Sequence, residues 1–480
     1  MKLEEKIAEI VEKEFPGNYF LGGAMDVFDQ SVSPFIKAPP RQRRMELFLD
    51  EYKKNSCKSA KNLFYIGKPA DSRQLDLESN IAKRDYLHFF KEAVEDYTHM
   101  TLPGYNGRFD IYFMHGEIYR DANHIGILNR LFNIKQLGLL NSEVVIAGFN
   151  QTRYLHSLST ALLTELCLTR NGFSEKEINL GIISGLLHDV YSSPLSDQGK
   201  LASRRELDEE KIAGKRLIKS KEIIEYAEKY GVSIEEVIKT IQGKNTIGQL
   251  INSKGLDLDT VSYVLIDFEK AKTLLHELTG TDLSYLSRSF DLHKGINFLN
   301  GEFVYSNPSK VSDMLYLRAL LFSNIYRHPN NRAKEAFFEK ELKHVWGKSL
   351  NIEKMMRFSD QSFQEFMLNN KNVCNPEVAR DLFELTANDH FSEIVQEHDI
   401  SKFNKMKQKY EDKNTIVAIH NSFNPKTTTK VIKDGKVCQI RELMPEYCGI
   451  IEGMSEMLNF VGVYKYLPNG QDKQQFYMDL

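Results

Sequence analysis

The 480-residue sequence has few cysteines, no long apolar run and no excess of charge of one sign. Its five cysteines are odd in number and form no C-x-x-C pair, which favours a reducing compartment over a disulfide framework. No stretch of about 18 apolar residues occurs to suggest a membrane-spanning helix. The 63 basic and 66 acidic side chains leave a formal net charge of −3, without the footprint of a polyanion-binding protein. We therefore expect a cytoplasmic protein with no membrane partner, and nucleic acid binding is left open but not indicated.

Helical periodicity dominates the middle of the chain. Apolar residues recur at helix spacing in three segments, 75–100, 206–243 and 312–407. Strand patterns are confined to three short segments, 109–113, 414–420 and 430–440. The last of these contains the turn dipeptide Asp434-Gly435, which favours a β-hairpin. The fold class that we predict is mainly α, with a helical core and a small C-terminal α+β element.

Two histidines and an aspartate stand at the ends of apolar helical runs. His156 opens one run, and His188 and Asp189 close another, so that packing would hold each polar group on a rigid element. Imidazole and carboxylate groups together suit a divalent Mn, Mg, Fe, Co, Ni or Zn ion. Each element alone is more simply explained by core packing or chance. Their combination, with Arg153 three residues before the first histidine, predicts a metal site.

These residues resemble the signature of the HD-domain phosphohydrolase superfamily, His…His-Asp…Asp. More narrowly, the chain resembles the deoxynucleoside triphosphate triphosphohydrolases of the dGTPase-like and vertebrate HD types. Further matching segments are His115–Ile118, Arg130–Gly138, Thr152–Leu158, Leu256–Asp267 and Arg318–His328. The resemblance covers roughly residues 109–345 in order. We accordingly divide the chain into an N-terminal region of unknown role (1–105), an HD-domain core (106–345) and a C-terminal helical and β-hairpin region (346–480).

The resemblance implies an enzyme that hydrolyses a deoxynucleoside triphosphate to deoxynucleoside and triphosphate, by attack of metal-activated water at the α-phosphorus. The positions that match its metal ligands are His156, His188, Asp189 and Asp259. The positions that match its substrate-binding residues are Gln136, Leu137, Arg153, Tyr263, Asp267, Arg318 and Tyr326. Of these, Gln136 and Leu137 would select against a 2′-hydroxyl, the two arginines would hold the triphosphate, and Asp267 would hold the 3′-hydroxyl. The resemblance also implies a homo-oligomer.

The chain departs from the family pattern around the phosphate-binding positions. Ser192 and Asp197 stand in place of two histidines, and Thr260 replaces the lysine that follows the fourth metal ligand. Candidates for a general acid are Asp197 and Glu209, with Glu206 and Asp208 as alternatives. Fewer cations should weaken triphosphate binding. Two other hypotheses therefore stay open: an HD phosphohydrolase acting on another nucleotide or phosphoester, and a non-catalytic nucleotide-binding subunit.

Overall fold

The structure is a computed structural model that describes residues 66–70, 99–104, 107–112, 115–139, 151–198, 209–280, 283, 286, 292–383 and 390–468. The chain forms two compact units, Met1–Arg120 and Asp121–Leu480. The described part of the first unit contains an antiparallel sheet of order β1-β3-β2. Its strands are Ile66–Ala70, His99–Gly104 and Gly107–Tyr112. The strand pattern at 109–113 is therefore confirmed, whereas the helix expected over 75–100 lies almost wholly outside the described residues.

Helices form most of the described second unit. Helix α1 is Gly116–Ala122, and helices α2 to α8 are Gly126–Asn129, Arg153–Arg170, Glu175–Leu187, Glu209–Arg216, Lys221–Lys229, Ile234–Ile241 and Leu258–Thr279. Helices α9 to α16 are Pro308–Leu321, Pro329–Val345, Ile352–Met355, Asp360–Leu368, Pro376–Asp381, Phe403–Tyr410, Ile440–Leu443 and Pro445–Glu456. A π-helical turn, Phe322–Tyr326, follows α9. The helical pattern over 206–243 is thus confirmed.

Helices α3 and α4 pack closely against each other near the middle of the core. Helix α3 begins at the N-cap Thr152, whose side chain accepts a hydrogen bond from the Leu155 amide at 3.2 Å. Fourteen of the 18 residues of α3 are buried, and seven of these are polar or charged, so the helix lies within the core on most of its faces. A Cβ on Gly185 of α4 would lie 2.6 Å from the Cα of Ala161, so only glycine permits this approach. The pairing brings the start of α3 beside the end of α4.

Two sheets complete the second unit. The first has the order β6-β10-β7, with strands Phe391–Glu397, Phe460–Tyr466 and Thr415–His420. The second has the order β4-β5-β8-β9, with strands Ile296–Leu299, Glu302–Tyr305, Lys430–Lys433 and Lys436–Gln439. Asp434 and Gly435 both have positive φ, as a tight hairpin turn requires. Strand β8 pairs in parallel with β5, so the C-terminal hairpin extends a sheet that begins within the helical part.

The fold class predicted from the sequence, mainly α with a small C-terminal α+β element, is confirmed. The strand patterns at 414–420 and 430–440 correspond to β7 and to the β8–β9 hairpin. The helical pattern at 312–407 is wrong at β6, because residues 391–397 pair with β10 far along the chain. Among the described helices, none has the length and apolar character needed to cross a membrane. The domain boundaries at 105 and 345 stay predictions.

Candidate metal centre

Four predicted ligand side chains lie together where α3, α4 and α8 meet. Nε2 of His156 lies 3.2 Å from Nε2 of His188 and 2.7 Å from Oδ1 of Asp259. Nε2 of His188 lies 3.4 Å from the same oxygen of Asp259. Oδ2 of Asp189 lies 3.6 Å from the Nε2 atom of each histidine. Residues from three separate parts of the sequence thus present two imidazole nitrogens and two carboxylate oxygens to one point.

The spacing of these atoms fits a divalent metal ion. Metal–ligand distances near 2.0–2.2 Å place neighbouring ligand atoms about 2.8–3.6 Å apart, for angles between octahedral and tetrahedral. The five distances between imidazole nitrogens or from imidazole to carboxylate run from 2.7 to 3.6 Å. His156, His188 and Asp189 also form a group of metal-ligating side chains by mutual proximity. The donor set therefore fits the ion that the sequence predicts, without distinguishing its identity.

The outer nitrogen of each imidazole is held by a neighbour. Nδ1 of His188 lies 2.7 Å from the carbonyl oxygen of Gly185, so Nδ1 carries the proton that donates to it. Nδ1 of His156 lies 3.3 Å from Oγ of Ser262, one turn along α8 from Asp259. These contacts orient both rings and leave the Nε2 atoms directed at the shared point. Such support is what a metal-ligating histidine requires.

The charges of the cluster favour a bound cation. Burial would lower the pKa of His188, but the carboxylates of Asp189 and Asp259 and the Gly185 carbonyl outweigh it and raise that pKa to about 9. Burial opposes ionisation of Asp259, yet its hydrogen bonds to His156 and His188 hold the Asp259 pKa well below its usual range. The two carboxylates therefore stay ionised and attract positive charge, from either a proton on His188 or a metal ion.

Arg153 links the ligand cluster to the following loop. Its guanidinium Nη1 donates to Oδ2 of Asp189. Its Nε donates to Oγ of Ser196 at 2.6 Å, and its Nη2 lies 3.3 Å from Oδ1 of Asp197. Arg153 is buried, whereas the side chain of Asp197 is 67% exposed. Arg153, the residue predicted to bind phosphate, thus lies beside the metal centre. Its positive charge is already shared by the carboxylates of Asp189 and Asp197.

A cavity of about 300 Å³ lies near the ligand cluster, and its lining residues do not include the four candidate ligands. Its lining includes six residues that the sequence singled out: Gln136, Leu137, Asp197, Tyr263, Asp267 and Tyr326. The ring of Tyr263 lies 6.4 Å from the ring of His156, so this wall joins the cavity to the ligand cluster. Tyr326 donates to Oδ2 of Asp267 at 2.6 Å inside the same cavity. The structure brings the predicted substrate residues together around one space.

Other predicted residues are placed differently. Arg318 does not line the cavity; its Nε donates to the hydroxyl of Tyr263 at 2.7 Å and its Nη1 to the carbonyl of Asn424. Ser192 and Thr260 stand where the pattern of the resembled family has a histidine and a lysine, and both are buried. Glu209 opens helix α5, but its side chain lies outside the described residues, as do Glu206 and Asp208. The role of Glu209 as a general acid therefore stays a prediction.

Several cavity residues were missed by sequence reasoning. Arg327, Glu335, His420 and Asn421 also line the cavity. Burial raises the pKa of Glu335, although Arg327, Gln198 and Asn331 oppose the shift. Arg327 follows the π-helical turn, and His420 ends strand β7. Arg327 lies within the matching segment Arg318–His328 but at an unmatched position, and Glu335, His420 and Asn421 belong to no motif. Only the strand pattern at 414–420 gave a weak signal for His420.

His420 makes a testable contribution to stability. Burial, and then the charges of Arg327 and Arg332, lower its pKa to about 3. Its Nε2 shares a hydrogen bond of 2.6 Å with the hydroxyl of Tyr464. Because the unfolded chain binds a proton near pH 6.5 and the folded chain does not, this contribution is present above pH 6.5 and is lost as pH falls towards 3. Between pH 6.5 and 5 the loss should be about 2 kcal/mol.

A His420→Gln variant tests this contribution, since glutamine keeps a hydrogen-bonding group for Tyr464 but does not titrate. Urea unfolding at pH 7 and pH 5 should show a smaller loss of stability in the variant than in the parent protein. An equal loss in both proteins would show that His420 does not carry this part of the pH dependence.

Comparison with known proteins identifies the fold. No family model and no curated protein matches the chain. Among solved structures, it is similar to a hypothetical protein from Aquifex aeolicus, with 19% identity and a TM-score of 0.57 over 80% of this chain and 98% of that chain. It is also similar to a phosphohydrolase from Bacteroides thetaiotaomicron, with 16% identity and a TM-score of 0.53 over 72% of this chain and 94% of that chain. At these identities the likeness shows that the chain shares the fold of these proteins.

Proposed function

We propose that this protein is a metal-dependent phosphohydrolase of the HD type, which cleaves deoxynucleoside triphosphates to deoxynucleoside and triphosphate. The observation that carries the proposal is the convergence of His156, His188, Asp189 and Asp259 beside a cavity lined by the predicted sugar-binding residues. The solved structure from Bacteroides thetaiotaomicron is named a phosphohydrolase, which supports the coarser part of the proposal.

The ligand cluster supplies the reaction class. His156, His188, Asp189 and Asp259 would hold the ion, which when bound polarises a phosphate oxygen and lowers the pKa of water. Arg153 donates to Asp189 of this cluster and to Ser196, and it pairs with Asp197. Its guanidinium group therefore lies where it would bind phosphate oxygens. Asp197 lines the cavity and is exposed enough to exchange protons with a ligand there. It remains our candidate for the general acid.

The sugar end of the cavity is built from three polar residues and one apolar residue. Asp267 is fully buried, and the hydroxyl of Tyr326 fixes one of its carboxylate oxygens. Within the described residues, Oε1 of Gln136 is buried without a hydrogen-bond partner. Such an atom gains free energy when a ligand supplies a donor. A 3′-hydroxyl would donate to Asp267, an N–H of the base would supply the donor that Oε1 of Gln136 lacks, and Leu137 offers a 2′-hydroxyl no partner.

A second candidate function is hydrolysis of a smaller phosphoester. The charge of Arg153 is shared between Asp189 and Asp197, and the residues that replace two family cations, Ser192 and Thr260, are buried. A triphosphate would therefore meet less positive charge than the family pattern provides. This observation favours a nucleoside monophosphate or a cyclic nucleotide as the alternative substrate.

A product assay separates these functions. The purified protein, loaded with Mn²⁺ or Co²⁺, is incubated with each dNTP, each NTP, each dNMP and cyclic AMP, and products are resolved by ion exchange. Triphosphate release from dNTPs alone supports the main proposal. Inorganic phosphate from dNMPs, or opening of the cyclic nucleotide, supports the alternative. Stoichiometric dNTP binding without turnover would indicate a non-catalytic binding subunit, and neither binding nor turnover with any tested metal would overturn the proposal.

Assembly is a separate part of the proposal. We propose a homo-oligomer in a cytoplasmic setting, as the family resemblance implies. Light scattering coupled to size-exclusion chromatography, with and without dNTP, gives the molar mass to compare with the 55.5 kDa of one chain. A mass of one chain under both conditions would contradict this part alone.

A further inference from the structure

The segment between β7 and β8, residues 421–429, runs along the beginning of helix α8, and we call it the C-terminal strap. It starts at Asn421, which lines the cavity. Its last residue, Thr429, accepts a hydrogen bond from the Leu256 amide at 2.7 Å through Oγ1. A Cβ on Gly255 would lie 3.0 Å from the Cα of Thr429, so the two backbones are in close contact. The strap therefore packs directly on the chain that leads into α8.

Lys426 is the centre of this contact. It is only 8% exposed, and its backbone adopts a positive φ of 54°. Its Nζ donates to the carbonyl oxygens of Ser253 at 3.0 Å and Gly255 at 2.9 Å, and to Oδ2 of Asp257 at 2.8 Å. All three ammonium donors are thus used, as a buried lysine requires. The Lys426 side chain is therefore held in one orientation by these three acceptors, because its ammonium group is shielded from water.

The contact fixes the first turn of α8. Oδ1 of Asp257 accepts from the amide of Thr260 at 2.9 Å, so Asp257 is the N-cap of the helix. Oδ2 of Asp257 accepts from the Ser253 amide at 3.0 Å and from Lys426. The metal ligand Asp259 lies in this turn, two residues after the cap. Its side chain is 32% exposed, against 1% for His156, so its position depends more on its backbone than on surrounding packing.

The strap reaches the next turn of α8 through Arg318. The carbonyl of Asn424 accepts from Nη1 of Arg318, and the guanidinium lies over the rings of Phe322 and Phe423, 4.7 and 5.1 Å from their centres. Nε of Arg318 donates to the hydroxyl of Tyr263 at 2.7 Å. The strap therefore contacts both the cap before Asp259 and the residue that supports Tyr263.

We propose that Lys426 is a positioning residue for the metal centre and acts through Asp257 on the placement of Asp259. The inference rests on the proposed function, because it assumes that Asp259 binds a metal ion. The side-chain hydrogen bonds of Lys426 reach neither the ligand cluster nor a residue that lines the cavity. Its effect is to hold the helix end that carries one ligand. Groups that hydrogen-bond a metal ligand directly contribute about 10- to 100-fold to metal affinity. Lys426 acts one contact further from the ligand, so we expect a contribution of about 10-fold or less.

The test uses the full chain with Lys426 replaced by Met, which keeps most of the length of the side chain and removes its charge. Co²⁺ titration should show binding weaker than in the parent protein, by a factor of about 10 or less. The visible absorption of bound Co²⁺, which reports the ligand field, should also change. Because Met leaves Asp257 buried without its cation, the double variant Lys426→Met with Asp257→Asn is measured as well, since asparagine keeps the N-cap oxygen.

Glu341→Gln is the matched control. Glu341 is buried and accepts from the amides of Cys374 and Asn375 at 2.5 and 3.1 Å, immediately before helix α13, so it also anchors a helix start with a buried charge. The Glu341→Gln substitution should lower the unfolding temperature of the protein and leave its Co²⁺ affinity and Co²⁺ absorption unchanged. The double variant should recover stability relative to Lys426→Met but retain the weakened, altered Co²⁺ binding.

The outcomes separate the two proposals. If the parent protein binds no Co²⁺, the proposed metal-dependent function fails, and the positioning role fails with it. If the parent binds Co²⁺, and both Lys426 variants bind it with the affinity and the absorption spectrum of the parent, only the positioning role is overturned. Weaker binding with a changed spectrum in both Lys426 variants, together with an unchanged Glu341→Gln protein, supports the inference.

Discussion

Replacement of His188 by alanine should abolish stoichiometric metal binding and leave the helical fold intact. The Nε2 atom of His188 lies within 3.2–3.6 Å of one atom from each of the other three candidate ligands. Its removal leaves one imidazole and two carboxylates, and the loss should exceed the 10- to 100-fold typical of outer-shell changes. The proposed phosphohydrolase activity should fall with the bound metal, because the ion is the group that would lower the pKa of the attacking water.

The same variant has a pH-dependent effect on the metal-free protein. The pKa of His188 is raised to about 9 in the folded chain, against about 6.5 unfolded. Its protonated form therefore stabilises the fold fully below pH 6.5, and this contribution is lost as pH rises through 9. It amounts to at most about 3 kcal/mol. The deficit in stability of the metal-free His188→Ala protein relative to the parent should accordingly be larger at pH 6 than at pH 10.

Metal analysis after dialysis, with calorimetric titration of Mn²⁺ and Co²⁺, measures the effect. His390→Ala is a matched control, because Nδ1 of His390 lies 2.7 Å from Oδ2 of the buried Asp381, outside the ligand cluster. The control should keep the metal stoichiometry of the parent. Full metal occupancy in His188→Ala, with unchanged affinity, would show that His188 is not a ligand and that the cluster has another role.

Three of the four candidate ligands are legible in the sequence because each adjoins a strong local pattern, whereas Asp259 is predicted only from the family resemblance. His156 lies in the first turn of a helix that is buried nearly all round, and His188 follows the last residue of another. Asp259 follows an aspartate N-cap. Apolar runs and caps fix where such residues stand on their helices. The family resemblance then indicates that these separate helix ends meet.

The rest of the cavity depends on contacts between distant segments. His420 and Asn421 reach the cavity because β7 pairs with β10, which begins 40 residues later at Phe460. Strand β6 was expected to be helical, and its pairing with β10 overrides the local pattern. Lys426 likewise bonds a carboxylate 169 positions earlier in the chain. No periodicity or motif near these residues specifies such partners, so the sequence left the C-terminal wall of the cavity unassigned.

Under the proposed function, replacement of Asp267 by asparagine should remove most of the preference for a substrate with a 3′-hydroxyl. Asp267 is fully buried, lines the cavity and accepts from Tyr326 at 2.6 Å. Asparagine keeps the shape and an acceptor for Tyr326, so the fold should be retained. A hydrogen bond to a charged group contributes about 1.5–3 kcal/mol, which corresponds to roughly 10- to 150-fold in kcat/KM. The loss should be specific to substrates that donate a 3′-hydroxyl.

Comparison of a dNTP with its 2′,3′-dideoxy analogue isolates this contact. The parent enzyme should prefer the dNTP by roughly 10- to 150-fold in kcat/KM, and Asp267→Asn should treat the two almost equally because it loses only the contact that the analogue lacks. Glu339→Gln makes the same chemical change at another carboxylate in the cavity lining and should keep the preference of the parent. An Asp267→Asn enzyme that slows equally on both substrates would show that Asp267 supports the cavity without binding the sugar, since a contact with the 3′-hydroxyl cannot affect a substrate that has none.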